Sequence, residues 1–592
     1  MKPRYQLLAL VAVAACLFFI GLGRLPLLEP DEGRNAEVAR EMISLDDWIT
    51  PHYDTLPYLD KPAVLFWLVA GSFKVFGLSE TAARLPSALA ALGTLLLIWL
   101  LARRMFDERS AWIAGIIFAT SPLVMVFARV VIFDMTLAFF VTLALAAFWL
   151  SSTAEPPRRD LDCLMFAAAG VATITKGPVG FILPLLTILV YAAVQGRFSE
   201  MKRLGWPPGI ALFLAVSLPW FIAVSLRNPD FPRYAFWEES VLRFTTAHAH
   251  RGGSVFYYIP VFLAGLLPWS FALLFAGVNR VRGWKRLRES DSAPHAFLLA
   301  WALVTFVFFS ISHSKLPAYF LPAVPALALL MGDIWNRDVK AHASGRRPDW
   351  LTAAFAVLIA IGILTAALPP WLQSPSMHRV MVRKIHPDVL AQLPSSIFYS
   401  GLIIAALGIL GRNLVSRSRE RVYAVGSLAI LACTVPLLAV RWWGPIESYA
   451  RTSSTQRLAS AVLHGSDRDL AVYGYYYFRT GLPFYLRRPV GLVTSEGGEF
   501  TSNYIAAHWP AIRAKAAATS STSFRPASGL FLDANDFAAL GRASPEPFLV
   551  IVQNDEVPDV DTLASPLLPL WQAWAYSVWK ATGSRALRAP NP

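Results

Sequence analysis

Five carboxylates crowd the stretch LPLLEPDEGRNAEVAREM at residues 25–42: Glu29, Asp31, Glu32, Glu37 and Glu41. Carboxylates so placed can take a proton, orient an amine or hydroxyl, or hold a metal. Asp31 and Glu32 follow Pro30 at a helix start, where capping and the helix dipole account for one acid and about 1 kcal/mol. That leaves the rest of the cluster without a role. Asp134 lies within ARVVIFDMTLAFFVTL, an apolar run in which a charge costs about 3 kcal/mol when deep. Arg129, five residues earlier, could pair with it at the interface; the functional reading is an active-site carboxylate facing an outer cavity. The cations stand in short polar breaks: Lys61 beside Asp60 in YLDKPA, Lys176 in TKGPVG, Lys315 in SHSKLPAYFLP, and Arg243, His248, His250 and Arg251 in the loop 227–254. Each alone reads as a snorkelling side chain. Together, with acids on the same membrane face, they suit a phosphate or diphosphate ligand. His248 and His250 with Asp60 form a candidate divalent-metal set, zinc or magnesium; no organic cofactor is expected.

These residues need elements to hold them. The chain has 592 residues, of which 55% are hydrophobic, 16% charged and 20 are Trp, and its net charge is +14. Soluble domains carry about a quarter charged residues, so a polytopic α-helical membrane protein is expected. Thirteen spans can be drawn, near 6–23, 79–101, 111–128, 132–151, 162–176, 178–195, 207–226, 255–277, 295–311, 316–334, 351–371, 396–411 and 421–440, most about the length that crosses a bilayer and a few short enough for half-spans or tilted pairs. The basic breaks RRMFDER, EPPRRD, GRFSEMKR, NRVRGWKRLRE and GRNLVSRSRER all fall on one side, which the positive-inside rule makes cytoplasmic. That disposition also disfavours nucleic acid as the partner of the basic charge. The N-terminus is then cytoplasmic and its first apolar run an uncleaved span. The C-terminus is outside. Cys16, Cys163 and Cys433 all sit in apolar runs, so neither a disulfide nor a thiolate site is expected.

The expected domains are a membrane part, 1–440, and an extracytoplasmic α/β part, 441–592. The membrane part includes a first outer loop at 24–78. In that loop DEGRNAEVAREMI reads as an amphipathic helix, and KPAVLFWLVAGSFKVFG as a helix in the interface. Beyond 441 the runs LAVYGYYYF, VGLVTS, GLFLD and PFLVIVQ have strand length, and STQRLASAVLHG and ANDFAALG read as helices, the second capped by Asn535 or Asp536.

EPDEGRNAEVAREM, YLDKPAVLFWL, the Phe-Asp at 133–134, TKGPVGFILP and SKLPAYFLPAVPALALL occur in an order that resembles the bacterial lipid-linked glycosyltransferases. The resemblance is to the branch of 4-amino-4-deoxy-L-arabinose transferases acting on lipid A and their protein O-mannosyltransferase relatives. It implies the fold of the C superfamily of glycosyltransferases (GT-C), a sugar donor carried on polyprenyl phosphate, and inverting transfer to an envelope lipid or glycan at the outer face of the bacterial inner membrane. Carried over by position, Asp31, Glu32 and Asp134 are the catalytic candidates. Lys61, with Arg34, Lys176, Arg243 and Lys315, would bind the phosphate-bearing substrate. Asp60, His248 and His250 match the positions that can hold a metal, although here the acid is Asp and the histidines read His-Ala-His. The mechanism requires the groups at 31, 61 and 134 to share one outward pocket. Transfer to protein Ser or Thr is the alternative acceptor reading, and a multi-span transporter the alternative class. A transporter site would lie at the midplane, commonly with inverted repeats; no repeat is visible.

Overall fold

The computed structural model describes residues 3–156, 158–201, 205–246, 252–278, 287–341, 349–382, 384–417, 420–464, 467–518, 529–544, 546–554, 567–573 and 576–582. The chain divides into two compact units. Met1–Leu22 and Arg84–Ser448 form the first; Gly23–Ala83 and Tyr449–Pro592 form the second.

The first unit is helical. Among the described residues, eight helices are long and apolar enough to cross a membrane, or nine if the bent pair Val255–Gly265 and Trp269–Phe275 counts as one span. The chain is a multi-pass membrane protein. The other drawn segments are also helical but do not all make a full span. Tyr5–Phe19 and Val179–Gln195 are short. The segment 111–128 breaks between the helices Glu108–Thr120 and Pro122–Phe127. Pro122 explains the break, because the residue before a proline is driven from helical to extended backbone, and Ser121 is extended at φ −69°, ψ 128°. The 255–277 segment turns through 110°. Small residues let neighbouring helices approach closely: a Cβ on Gly362 would lie 2.4 Å from Ala405 N, and one on Gly401 2.3 Å from Ala366 N.

The second unit joins two distant pieces of sequence. Residues 23–83, expected with the membrane part, fold with the C-terminal residues. Its sheet order, named here from the chain, begins with a small antiparallel hairpin of β1 (His52–Tyr53) and β2 (Leu56–Pro57). A six-stranded sheet follows, formed by β3 (Val472–Tyr475), β4 (Gly491–Val493), β5 (Phe531–Leu532), β6 (Phe548–Gln553), β7 (Leu567–Gln572) and β8 (Tyr576–Ala581). The spatial order is β5-β4-β3-β6-β8-β7, parallel from β5 to β6 and antiparallel thereafter. All four strand-length runs are strands, and β3, β4 and β6 bury nearly every residue, as parallel strands covered on both faces do. The helix Ala534–Ala543 is capped by Asp533, not by Asn535 or Asp536; Asp536 closes the reciprocal capping box from the third helical position.

The helix Asp31–Ser44 departs most from its expected character. It is not a surface amphipathic helix, because Glu32, Arg34, Asn35, Glu37, Arg40 and Glu41 are all buried. Charges tolerate that only when paired and hydrogen-bonded, and here the helix carries its own counterions. Arg40 donates to both oxygens of Glu37, at 2.7 and 2.6 Å.

Candidate functional site

The second unit holds one set of the expected site residues. Glu29 precedes the helix and is an anchor. Its carboxylate accepts from the backbone N–H groups of Thr480 at 2.7 Å and Gly481 at 2.8 Å, and from the hydroxyls of Thr480 and Thr455. A carboxylate that collects this many donors clamps the first loop onto the C-terminal residues of the same unit. A Cβ on Gly33 would come 2.5 Å from Gly481 Cα, so the helix can approach that segment only with glycine there.

Asp31 differs from its neighbours: its side chain is half exposed. Arg34 Nη2 donates to its Oδ1 at 2.5 Å, while Arg34 Nη1 donates to the carbonyl and hydroxyl oxygens of Thr501 at 2.8 and 2.6 Å. The Tyr58 ring lies 5.6 Å from the guanidinium carbon. Burial draws the Arg34 pKa down, but Tyr58, Asp31 and Asp60 more than offset it, so the group is held firmly charged. Glu32 is buried and accepts the Leu28 N–H at 3.0 Å, which makes it a support for the turn entering the helix. Asp60 is buried and accepts the Tyr504 N–H at 2.9 Å; Lys61 Nζ donates to the Asp60 carbonyl at 2.8 Å. His248 and His250 lie outside the described residues, as does Arg251. Among the described residues no group of three His, Cys, Asp or Glu side chains has the arrangement of a metal site.

A second cluster in this unit was not assigned from sequence. Glu37, Glu41, Asp54 and Arg40 put three acids around one guanidinium, all largely buried. Glu41 accepts the Thr55 N–H with both oxygens, and Asp54 Oδ1 accepts the Val490 N–H at 2.9 Å. Asp54 Oδ2 is buried without a hydrogen-bond partner. Burial, with the neighbouring carboxylates, pushes both the Glu41 and Asp54 carboxyls well above the ordinary range.

The first unit holds the other set. Asp134 is in the first turn of the helix Phe133–Ser152, and Lys176 ends the helix Arg159–Lys176, so each charge complements its own helix dipole. The two helices form an antiparallel hairpin, and this brings Asp134 and Lys176 into an ion pair. Arg129 does something else: it donates to the carbonyls of Leu17 and Ile20, both at 2.8 Å. Its place in the short turn before the helix points it toward the exposed carbonyls that end the first helix. Lys176 Nζ sits 4.3 Å above the Tyr319 ring, and Arg243 Nη2 donates to the Tyr319 hydroxyl at 3.3 Å. Arg243 also pairs with Glu239 one turn earlier. Asp134, Lys176, Tyr319, Arg243 and Glu239 therefore form one connected cluster of balanced charge. Glu239 and Arg243 flank the end of a π-helix, Arg233–Leu242, a form often found at functional sites.

Lys315 stands apart from that cluster. Its ammonium donates to the carbonyls of Phe309, Ser310 and Ser312 at 3.3, 2.8 and 2.5 Å, closing the C-terminal end of the helix Ala293–Ile311. Its geometry is that of a helix cap, and three carbonyls take its three N–H groups.

The turn that carries Lys176 depends on close packing. Gly177 has φ +79°, which a side chain would strain. A Cβ on Gly180 would meet Ala172 C at 2.2 Å and Thr173 N at 2.4 Å, and backbone cannot move aside as a side-chain tip can. Gly180→Ala is therefore expected to destabilise the hairpin by about 1–3 kcal/mol. Thermal unfolding of the detergent-solubilised protein checks this; an unchanged midpoint would show the helices free to separate.

Comparison with known proteins gives a consistent result. The family described as dolichyl-phosphate-mannose-protein mannosyltransferase matches residues 60–223. The chain is 34% identical over 352 residues to the undecaprenyl phosphate-alpha-4-amino-4-deoxy-L-arabinose arabinosyl transferase of Edwardsiella ictaluri, covering 59% of this chain and 62% of the relative. To such a transferase from Pseudomonas fluorescens it is 35% identical over 378 residues, 62% of each chain. The chain thus spans about three-fifths of the length of the curated relatives it matches. Among solved structures, ArnT from Cupriavidus metallidurans bound to undecaprenyl phosphate superposes with a TM-score of 0.80 at 27% identity, over 99% of both chains.

Proposed function

We propose that this chain, which belongs to the GT-C group of lipid-linked glycosyltransferases that includes the aminoarabinose transferases and resembles the protein O-mannosyltransferases, moves a sugar from a polyprenyl phosphate to an envelope lipid or glycan, with inversion at the anomeric carbon. The donor reading draws on the solved relative bound to undecaprenyl phosphate and on the names of the arabinosyl transferases; the lipid A-type acceptor follows from the resemblance in sequence. The observation that carries the reading in this chain is the cluster in which Lys176 and Arg243 meet at Tyr319, two cations suited to a phosphate. Transfer breaks the sugar–phosphate bond and leaves an anionic polyprenyl phosphate. Lys176 and Arg243 suit that growing charge, since fixed cations in a water-poor site lower the barrier where charge develops. Lys176 and Arg243 now rest on Asp134 and Glu239, so a phosphate would replace one anion with another and leave no buried cation unpaired. Asp31 suits the proton of a hydroxyl acceptor or, for an acceptor that is already anionic, the amine of the sugar. Asp134 holds Lys176 and is the second acid.

The termini follow the charge rule: the N-terminus cytoplasmic and the C-terminal residues extracytoplasmic. Transfer to Ser or Thr of a protein is the second reading, favoured by the mannosyltransferase match at 60–223. The test is reconstitution in vesicles with polyprenyl-phosphate aminoarabinose or mannose, and with lipid A or a Ser/Thr peptide as acceptor. Mass spectrometry should find one sugar added to lipid A and an equal amount of free polyprenyl phosphate. Sugar on the peptide would select the second reading. Solute uptake without any bond broken would overturn both.

A further inference from the structure

The two oxygens of Thr501 lie where they can decide how Asp31 works. Thr501 is remote from Asp31 in sequence, in the C-terminal part of the same unit, and has a left-handed backbone at φ +55°. A β-branched residue reaches that conformation only at a cost, and such residues persist where the surroundings hold them. Here the turn sets its carbonyl and hydroxyl side by side, and both accept from one nitrogen of Arg34. The other terminal nitrogen donates to Asp31 Oδ1. A guanidinium is a rigid planar fork, so fixing one tine fixes the other. The charged and titratable groups facing Arg34 are Asp31 and Asp60 with the phenols of Tyr58 and Tyr53. Tyr58 packs against its face and the Thr501 turn holds its far end.

We propose that Thr501 is a positioning residue for the transfer reaction. Through Arg34 it locks one oxygen of Asp31 and leaves the second available to the substrate. The C-terminal residues are then part of the catalytic apparatus. This inference rests on the reading of Asp31 as the acid–base or orienting group.

The experiment compares Thr501→Val with Thr501→Ser in the full-length reconstituted protein. Valine keeps the shape and the carbonyl but removes the hydroxyl acceptor. With a looser Arg34, Asp31 loses its fixed orientation, so kcat should fall about tenfold, the scale of one hydrogen bond to a charged group, with KM for the donor little changed. Serine should restore the rate. Arg34→Lys, which cannot bridge Thr501 and Asp31, should lower kcat at least as far. If the valine variant does not fold, Thr501→Gly relaxes the left-handed backbone, lacks the hydroxyl and carries the same test. A lower thermal midpoint with an unchanged kcat would mean a purely structural threonine and overturn the inference. Asp31→Asn with full activity would instead sink the reading beneath it, and the two failures are read in different variants.

Discussion

Asp31→Asn is expected to lower the transfer rate to a hydroxyl acceptor by about 10²–10⁴, with donor binding nearly unchanged. The range is that of a positioned general base. Asparagine keeps the shape and can still meet Arg34, so the helix should survive; what disappears is the charge. The position favours this outcome, because Asp31 is the half-exposed carboxylate of a cluster whose other members are committed to structural hydrogen bonds. Glu29 is bound to the Thr480–Gly481 backbone, Glu32 to Leu28, and Glu37 to Arg40. The magnitude also separates acceptor classes. A phosphate acceptor is already ionised and needs no base, so the same substitution should then cost far less in kcat and appear mainly as weaker binding of an amino sugar. Single-turnover transfer from a defined donor to each acceptor measures the difference. A variant with the native rate on every acceptor would remove Asp31 from the chemistry.

Some of this was legible in the sequence and some was not, for identifiable reasons. Apolar runs report burial in lipid or protein, and all thirteen drawn segments are helical. Whether each completes a span is set by breaks such as Pro122, which a hydropathy window smooths over. The four strands of the parallel part, β3 to β6, could be read because they are short continuous apolar runs, whereas β7, with Pro569 and an exposed edge, gives no such signal. The partner of Asp134 was misjudged for a geometric reason. Sequence proximity favoured Arg129, but the helical hairpin returns the chain so that Lys176, forty-two residues on, arrives beside it. Lys315 looked like a ligand-binding cation because polarity in an apolar context is conspicuous; it is equally what a helix end requires. Tyr319 stood in a stretch already singled out, but only the fold joins it to Lys176 and Arg243. Thr501, Glu239 and Asp54 had no local signal at all, since their roles depend on contacts or on burial that only the fold creates.

The buried cluster of Glu37, Arg40, Glu41 and Asp54 allows a sharper test of stability. Three carboxylates around one guanidinium cannot all be ionised cheaply away from water. Burial raises all three carboxyls, Asp54 and Glu41 well above the ordinary range and Glu37 against the opposing pull of its two-pronged pair with Arg40. Unfolded, all three would titrate near the ordinary value of about 4. Between that pH and their raised folded values, the folded chain holds protons that the unfolded chain has released, so stability falls as pH rises through this window. Asp54→Asn imitates the protonated acid and can still accept the Val490 N–H. It should be as stable as the native protein or more so at pH 8, lose that advantage toward pH 4, and give a shallower pH dependence, the remainder belonging to Glu41 and Glu37. Arg40→Met is the opposite case. It strands the Glu37 carboxylate without a cation and should cost about 3–5 kcal/mol at neutral pH, with partial recovery in acid as Glu37 takes a proton. Thermal midpoints in detergent across pH 4.5–8, within the range where the carboxyl window lies, read both variants. A steep native-like slope in Asp54→Asn, or an Arg40→Met protein as stable as the native one, would mean that these acids are hydrated and that the helix is not held by its own charges.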